Sequence, residues 1–182
     1  MIETDRLILR PWREEDRDDL ARMCADPNVM VDYPRPQTRE ESDVRFVRYR
    51  DCFETNRYCR WAIERRGDAT FLGYTGIQPV DFPGHPLEGS VEIGWRLVRA
   101  AWGQGIASEA ARATLRDGFT RCGLREIVSY TTTVNTRSQA VMRRIGLSRN
   151  EQRDFRYSDG QQYVVFRAGI DWLAAASQAR HA

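Results

Sequence analysis

Two glycines and a serine at a fixed spacing, Gly103-x-Gly105-x-x-Ser108, are the residues best placed to do chemistry. They follow an alternating stretch, Val91 to Val98, and open a stretch with helical periodicity. Glycine admits left-handed backbone and leaves its N–H unshielded by a Cβ atom. At a helix start, such N–H groups and the helix dipole make a site suited to a pyrophosphate. On spacing alone, two other readings stay open. The glycines can serve chain geometry only. They also nearly match the GxGxxG fingerprint of a dinucleotide fold, with Glu126 about 20 residues on as its acid. Glu126 opens its strand, however, whereas the ribose-binding acid belongs at a strand's end. The preceding strands also alternate like an antiparallel meander, which the fingerprint does not allow.

Composition removes other chemistries. The sequence has no lysine, so all 28 of its basic residues are arginine. That excludes Schiff-base catalysis, pyridoxal-phosphate anchoring and a P-loop lysine. His85 and His181 are the only histidines, so a His-rich metal site is excluded and no metal is expected. Cys24, Cys52, Cys59 and Cys122 lack paired short spacings and read as free thiols in the cytoplasm. A net charge of +2 gives no basic footprint for nucleic acid. No apolar run approaches the roughly 18 residues of a membrane span, and the polar start MIETDR reads as no signal peptide.

Around these residues the chain orders itself simply. A strand near Arg6–Arg10 is stopped by Pro11, and a helix with an acidic first turn follows over Glu14–Ala25. Asp32–Gln37, with two prolines, is a loop. Thr38 and Glu41 form a capping box that opens a helix over Arg39–Glu54. Alternation marks strands at Cys59–Glu64, Phe71–Gln78 and Val91–Leu97, the last two parted by the loop Asp81–Gly89. A helix over Gln104–Arg121 carries Ile106, Ala110, Thr114 and Gly118 on one face, small enough to lie close on a sheet. A strand at Ile127–Val134 precedes a short helix that Asn135 caps and Gly146 ends. Strands at Ser148–Phe155 and Gln162–Ile170 finish a β-α-α-β-β-β-α-β-α-β-β order. One domain is expected over residues 3–173, with a tail over 174–182.

Trp102-Gly103-Gln104-Gly105-Ile106-Ala107 resembles the acetyl-coenzyme A loop of the GNAT acetyltransferases, (Gln or Arg)-x-x-Gly-x-(Gly or Ala). Trp102 departs from that signature, as is usual in the branch that resembles the RimJ/RimL ribosomal-protein N-terminal acetyltransferases. The opening ETDRLILRPWREED, the strand Glu92-Ile93-Gly94-Trp95, and Asn135-x-x-Ser138 leading through Val141-Met142 to Gly146 resemble the same branch. The last has one residue more before its glycine than the usual form. The resemblance runs from about Glu3 to Ile170, nearly the whole chain. It implies a mixed α/β fold, with a mostly antiparallel sheet splayed at the acetyl-coenzyme A site and helices on both faces. It implies acetyl transfer to a primary amine, at a protein or peptide N-terminus or on a small molecule, by direct attack in a ternary complex. A rival is a GNAT-fold sensor or interaction domain that binds the coenzyme without turnover. Many similar proteins are homodimers.

Carried over residue by residue, the resemblance sets Leu97, Val98 and Arg99 along the pantetheine, with a backbone N–H near Val98 as oxyanion donor. The backbone of Gly103, Gln104, Gly105, Ile106, Ala107 and Ser108 holds the pyrophosphate. Asn135 and Ser138 meet the coenzyme or its thiol end. On the residues alone, Asn135 reads rather as a plain helix cap and Ser138 as a first-turn solvent residue. Arg99, Arg137, Arg143 and Arg144 are candidates for the 3′-phosphate. Glu92 is the first candidate base, with Gly94 leaving room beside it, or else a partner of Arg60 or Arg96 across the sheet. Ser138, or Tyr130 on the neighbouring strand, is the candidate acid. Tyr33, Phe82 and His85 are expected to line the acceptor pocket.

Overall fold

The computed structural model describes residues 1–56 and 58–178. Strands β1 (Ile2–Glu3) and β2 (Leu7–Arg10) lead into helices α1 (Asp16–Ala25) and α2 (Arg39–Asn56). The meander β3 (Arg60–Arg65), β4 (Phe71–Pro79) and β5 (Val91–Leu97) follows, then helix α3 (Ile106–Thr120) and β6 (Glu126–Thr132). Helix α4 (Thr136–Arg144), β7 (Ser148–Arg149), β8 (Phe155–Arg156), β9 (Gln162–Gly169) and helix α5 (Trp172–Gln178) complete the order. The strands form one sheet in the order β1-β2-β3-β4-β5-β6-β9-β7, with β8 also on β9. Every neighbouring pair is antiparallel except β5 and β6.

The period of two decides which helices cover which face. Ala62, Phe71 and Tyr74 pack with Leu20, Met23 and Phe46 of α1 and α2. Trp61, Ile63 and Leu72, one residue out of step, pack with Ile106 and Ala110 of α3. The capping box expected for α2 is in place: the Thr38 N–H donates to Glu41 Oε2 at 2.9 Å and the Glu41 N–H to Thr38 Oγ1 at 3.3 Å. Arg10, 4% exposed, ties β2 to α1 and β3 through a two-pronged bond to Asp16 and a third to Glu64 at 2.5 Å. Among the described residues no helix is long and apolar enough to cross a membrane.

Three expectations change. The expected strand over Ser148–Phe155 is two short pieces, β7 and β8, parted by a 3-10 turn at Glu151–Arg153. Asp154 explains the break: its side chain accepts from the Val165 N–H at 3.0 Å and from Arg149 at 2.6 Å, replacing a ladder acceptor. Helix α3 starts at Ile106 rather than Gln104, because Gly105 takes a left-handed φ of 76°. Residues 174–178, read as the start of a tail, belong to α5, which Trp172 anchors by an indole bond to the Ile145 carbonyl at 2.7 Å. Residues 179–182 of that tail lie outside the described residues.

Candidate active site

β5 and β6 start side by side and then part. Their register is Glu92↔Val128, and the Ser129 hydroxyl donates to the Ile93 carbonyl at 2.9 Å. Past that point lies a cleft of about 1160 Å³. The Val98 N–H donates to the Leu72 carbonyl at 3.1 Å. The strand period therefore aims the N–H groups of Glu92, Gly94 and Arg96 at β4, and those of Trp95 and Leu97 at the cleft. The Val98 carbonyl accepts from the Ala101 N–H at 3.0 Å, so both Val98 backbone groups are engaged within the protein. Near Val98, the backbone N–H groups left free of β4 on this edge are therefore those of Trp95 and Leu97.

The glycine turn sits at one mouth of this cleft. Gly103 and Gly105 have φ of 74° and 76°, the left-handed region that glycine alone adopts freely. The first bond inside α3 runs from the Glu109 N–H to the Gly105 carbonyl at 3.0 Å. The N–H groups of Ile106, Ala107 and Ser108 come before it and have no intrahelical acceptor. They form, with the dipole of α3, a cradle whose chemistry fits a pyrophosphate. Gly103, Gly105, Ile106, Ala107 and Ser108 line the cleft. Gln104 turns away, its amide donating to the Ala100 carbonyl at 2.6 Å. Trp102, the departure from the signature, pins the turn by donating to the Leu97 carbonyl at 3.0 Å.

Of the four arginines considered for phosphate, two reach this mouth. The Arg137 guanidinium lies 4.9 Å from the Trp102 ring centre, and Arg144 Nη1 is 3.5 Å from Ser108 Oγ. Arg99 turns out toward Asp26 at 3.9 Å, and Arg143 lies 5.3 Å from the Phe166 ring centre. Asn135 is the cap of α4, its Oδ1 accepting from the Ser138 N–H at 3.0 Å. Its Nδ2 also donates to Asp32 Oδ2 at 2.8 Å. Ser138 lines the cleft, and its hydroxyl has no partner among the described residues.

The inner end is built of buried charge and aromatic rings. Glu92 Oε1 accepts from Arg60 Nη2 at 2.8 Å and from Gln78 Nε2 at 2.9 Å. Both bonds land on Oε1, leaving Oε2 without a donor among the described residues. The room expected beside Gly94 is taken: a Cβ there would lie 2.8 Å from Arg60 Nη1. Burial, and then the charge of Glu92, push the Tyr130 phenol well above its ordinary range. It stays protonated, a donor rather than a base. Burial lowers His85 against the pull of Glu92, leaving a neutral imidazole. Its Nδ1 accepts from the Leu87 N–H at 3.1 Å, so the proton sits on Nε2. His85 packs against Tyr130 and Tyr157 as tilted rings and edge-on against Phe155, at 5.1–5.3 Å between ring centres. Tyr33 and Phe82 line the outer wall, both partly exposed.

A model of the acetyltransferase (GNAT) domain matches residues 6–148. The chain belongs to the GNAT acetyltransferase family. It is similar to the FsC-acetyl coenzyme A-N(2)-transacetylase of Aspergillus fumigatus, 32% identical over 156 residues, covering 82% of this chain and 66% of that protein. The chain thus spans slightly under two thirds of that relative's length. Its fold matches the GNAT-family acetyltransferase of Bacillus anthracis with a TM-score of 0.79, at 23% identity over 93% of this chain and 98% of that one. It also matches RimL, an alpha-N-protein acetyltransferase solved with coenzyme A. There the TM-score is 0.75, at 18% identity over 93% of this chain and 97% of that one.

This chain thus carries the acetyltransferase (GNAT) domain and its fold. Arg60 and Arg96, read from the sequence only as partners of Glu92, and Asp32 line its cleft; Arg45 of α2, Phe155, Tyr157 and Tyr163 line it too, and sequence reasoning missed these four. The three aromatics were legible as a cluster about the Ser158-Asp159-Gly160 turn. Arg45 was not, because arginine is common throughout this chain.

Proposed function

We propose that the enzyme transfers an acetyl group from acetyl-coenzyme A to a primary amine, by direct attack in a ternary complex. One observation carries this: the helix cradle at Gly103–Ser108 and the Glu92 carboxylate lie in one cleft, joined by the parted edge of β5. In this reading the cradle binds the pyrophosphate, with Arg137 and Arg144 beside it. The pantetheine lies along Trp95 and Leu97, and Asn135 and Ser138 meet its thiol end.

The amine must be neutral to attack, since an ammonium has no lone pair. Glu92 takes its proton, directly or through a water. The nitrogen bonds to the thioester carbonyl carbon, and the oxyanion so formed accepts from the Trp95 or Leu97 N–H. The C–S bond then breaks, and the departing thiolate takes a proton through Ser138 or Tyr130, which recovers its own, by way of water, from the protonated Glu92. Tyr33, Phe82 and His85 wall the amine. The Aspergillus transacetylase and RimL are both named for transfer to nitrogen, which supports an amine acceptor, on a small molecule or at a protein N-terminus. The proposed setting is the cytoplasm, where four free thiols stay reduced.

Thiol release from acetyl-coenzyme A in the presence of amines and N-terminal peptides tests this reading. Intersecting initial-rate lines are expected. Parallel lines, the mark of an acetyl-enzyme, contradict direct attack. Coenzyme binding without release on any amine favours the sensor reading instead.

A further inference from the structure

Arg45 is 7% exposed and lines the inner end of the cleft. Its Nη1 donates to the Tyr74 hydroxyl and its Nη2 to the Tyr33 hydroxyl, each at 3.1 Å, while its Nε has no acceptor. Both partners are phenols, and among the described residues no carboxylate pairs with this cation. The other buried arginines among the described residues each have a carboxylate partner. Arg10 has Asp16 and Glu64, and Arg60 has Glu92. A buried charge without a counter-charge is costly, and a bound anion would supply the balance.

A second cation adjoins it. Arg96 donates to the Val29 carbonyl, and its Nε also has no acceptor. Its nearest carboxylate, Asp32, is 3.9 Å away and already accepts from Asn135. The guanidinium carbons of Arg45 and Arg96 lie 5.1 and 4.9 Å from the centre of the same ring, Tyr33. Tyr33 is 38% exposed, so this ring is the outer cover of the pair and can turn aside. Burial raises the Tyr74 phenol, but Arg45 and Arg96 outweigh it and bring the group down to about 8. The field at this spot therefore favours an anion. Glu92 lines the same cleft but is held by Arg60 and Gln78.

We infer that Arg45 and Arg96 form an anion subsite in the acceptor half of the cleft, and that the acceptor amine carries a carboxylate. The inference rests on the acetyl-transfer reading and names the class of its acceptor. An amino acid, or a peptide with an acidic second residue, carries both groups required: a carboxylate for this pair and an amine for the transfer. The carboxylate takes no part in bond making; it holds the amine in place. A polyamine would set cation against cation here.

Matched acceptors test this: free amino acids against their carboxamides, N-terminal peptides with and without an acidic second residue, and spermidine. Thiol release gives kcat/KM for each. Calorimetry gives the affinity of N-acetyl amino acids and their amides for the coenzyme A-loaded protein. A charge-assisted, two-pronged bond should favour the acid over its amide by about ten- to a hundred-fold. Arg45→Gln should bring that ratio close to one while acetyl-coenzyme A still binds. Arg45→Lys, which keeps the charge and loses the fork, should lower the ratio part-way. The wild-type ratio decides even where neither variant folds. A preference confined to free amino acids makes the source a small molecule, and one confined to acidic peptides makes it a protein N-terminus; either supports the subsite. Equal rates on acids and amides, a preference for spermidine, or a ratio unmoved in folded Arg45→Gln would overturn it. So would a protein that binds acetyl-coenzyme A but neither binds nor acetylates any acid, an outcome that leaves the parent reading standing. Failure to bind acetyl-coenzyme A removes both.

Discussion

Glu92 holds the Arg60 guanidinium with one oxygen and leaves the other uncommitted. That division lets one side chain serve as counter-charge and as base. Replacing it by glutamine separates the two roles. A positioned general base contributes about 10²- to 10⁴-fold, so Glu92→Gln should lower kcat by that order while acetyl-coenzyme A affinity holds. Arg60 loses its buried counter-charge as well, which should cost on the order of 3 kcal/mol in a denaturation curve. A stability loss with kcat unchanged would leave Glu92 as a structural partner only. Much at this scale was legible. Alternation put Glu92 on its strand, and a capping rule put Asn135 at its helix start. The partner of Glu92 was open between Arg60 and Arg96, because cross-strand register is not written in one strand's spacing. Arg45 was invisible for a related reason: only the docking of α2 shows that it faces a cleft.

At the scale of elements, β5 does the positioning, and β4 holds β5. Gly73 lies opposite Leu97 with a φ of 131°, and a Cβ there would stand 2.2 Å from the Arg96 carbonyl oxygen. Gly73→Ala must push the end of β5 away from β4. Backbone crowding of this kind costs about 1–3 kcal/mol, and a left-handed alanine adds to it. The melting temperature should fall by several degrees, with a weaker KM for acetyl-coenzyme A, since Trp95 and Leu97 move together. An unchanged melting curve would show that β5 does not need this contact. Local rules read these elements well wherever the signal was local: the Thr38–Glu41 box, the left-handed Gly105, and Gly146 at a φ of 85°. They failed at Ser148–Phe155, where the Asp154 side chain bonds to Val165 on another strand. A bond between residues eleven apart in the chain leaves no periodic trace.

For the molecule as a whole, the sheet runs as a continuous ladder with one seam. β4 and β5 pair along their length, as do β6 and β9, while β5 and β6 register at a single position before they part. The seam divides the protein into a half braced by α1 and α2 and a half closed by α5 through Trp172. Helix α3 bridges both, packing with Leu97 on one side and Ile127 on the other. The fold was legible in outline because the strand–turn–helix at Gly103 is a local signal and its neighbours alternate cleanly. The extent of the cleft was not, since it exists only between strands far apart in sequence. The central claim is that the coenzyme sits at this seam with its pyrophosphate on α3. Calorimetric titration of acetyl-coenzyme A into the wild type and into Gly105→Glu tests it directly, with melting curves to show that both are folded. Gly105 has a left-handed φ of 76°, and a glutamate there both strains the turn and sets a carboxylate in the cradle. Binding by the wild type, weakened about tenfold or more in the variant, is the expected result. No binding by the wild type, or equal binding by both, would contradict it and return the glycines to plain chain geometry.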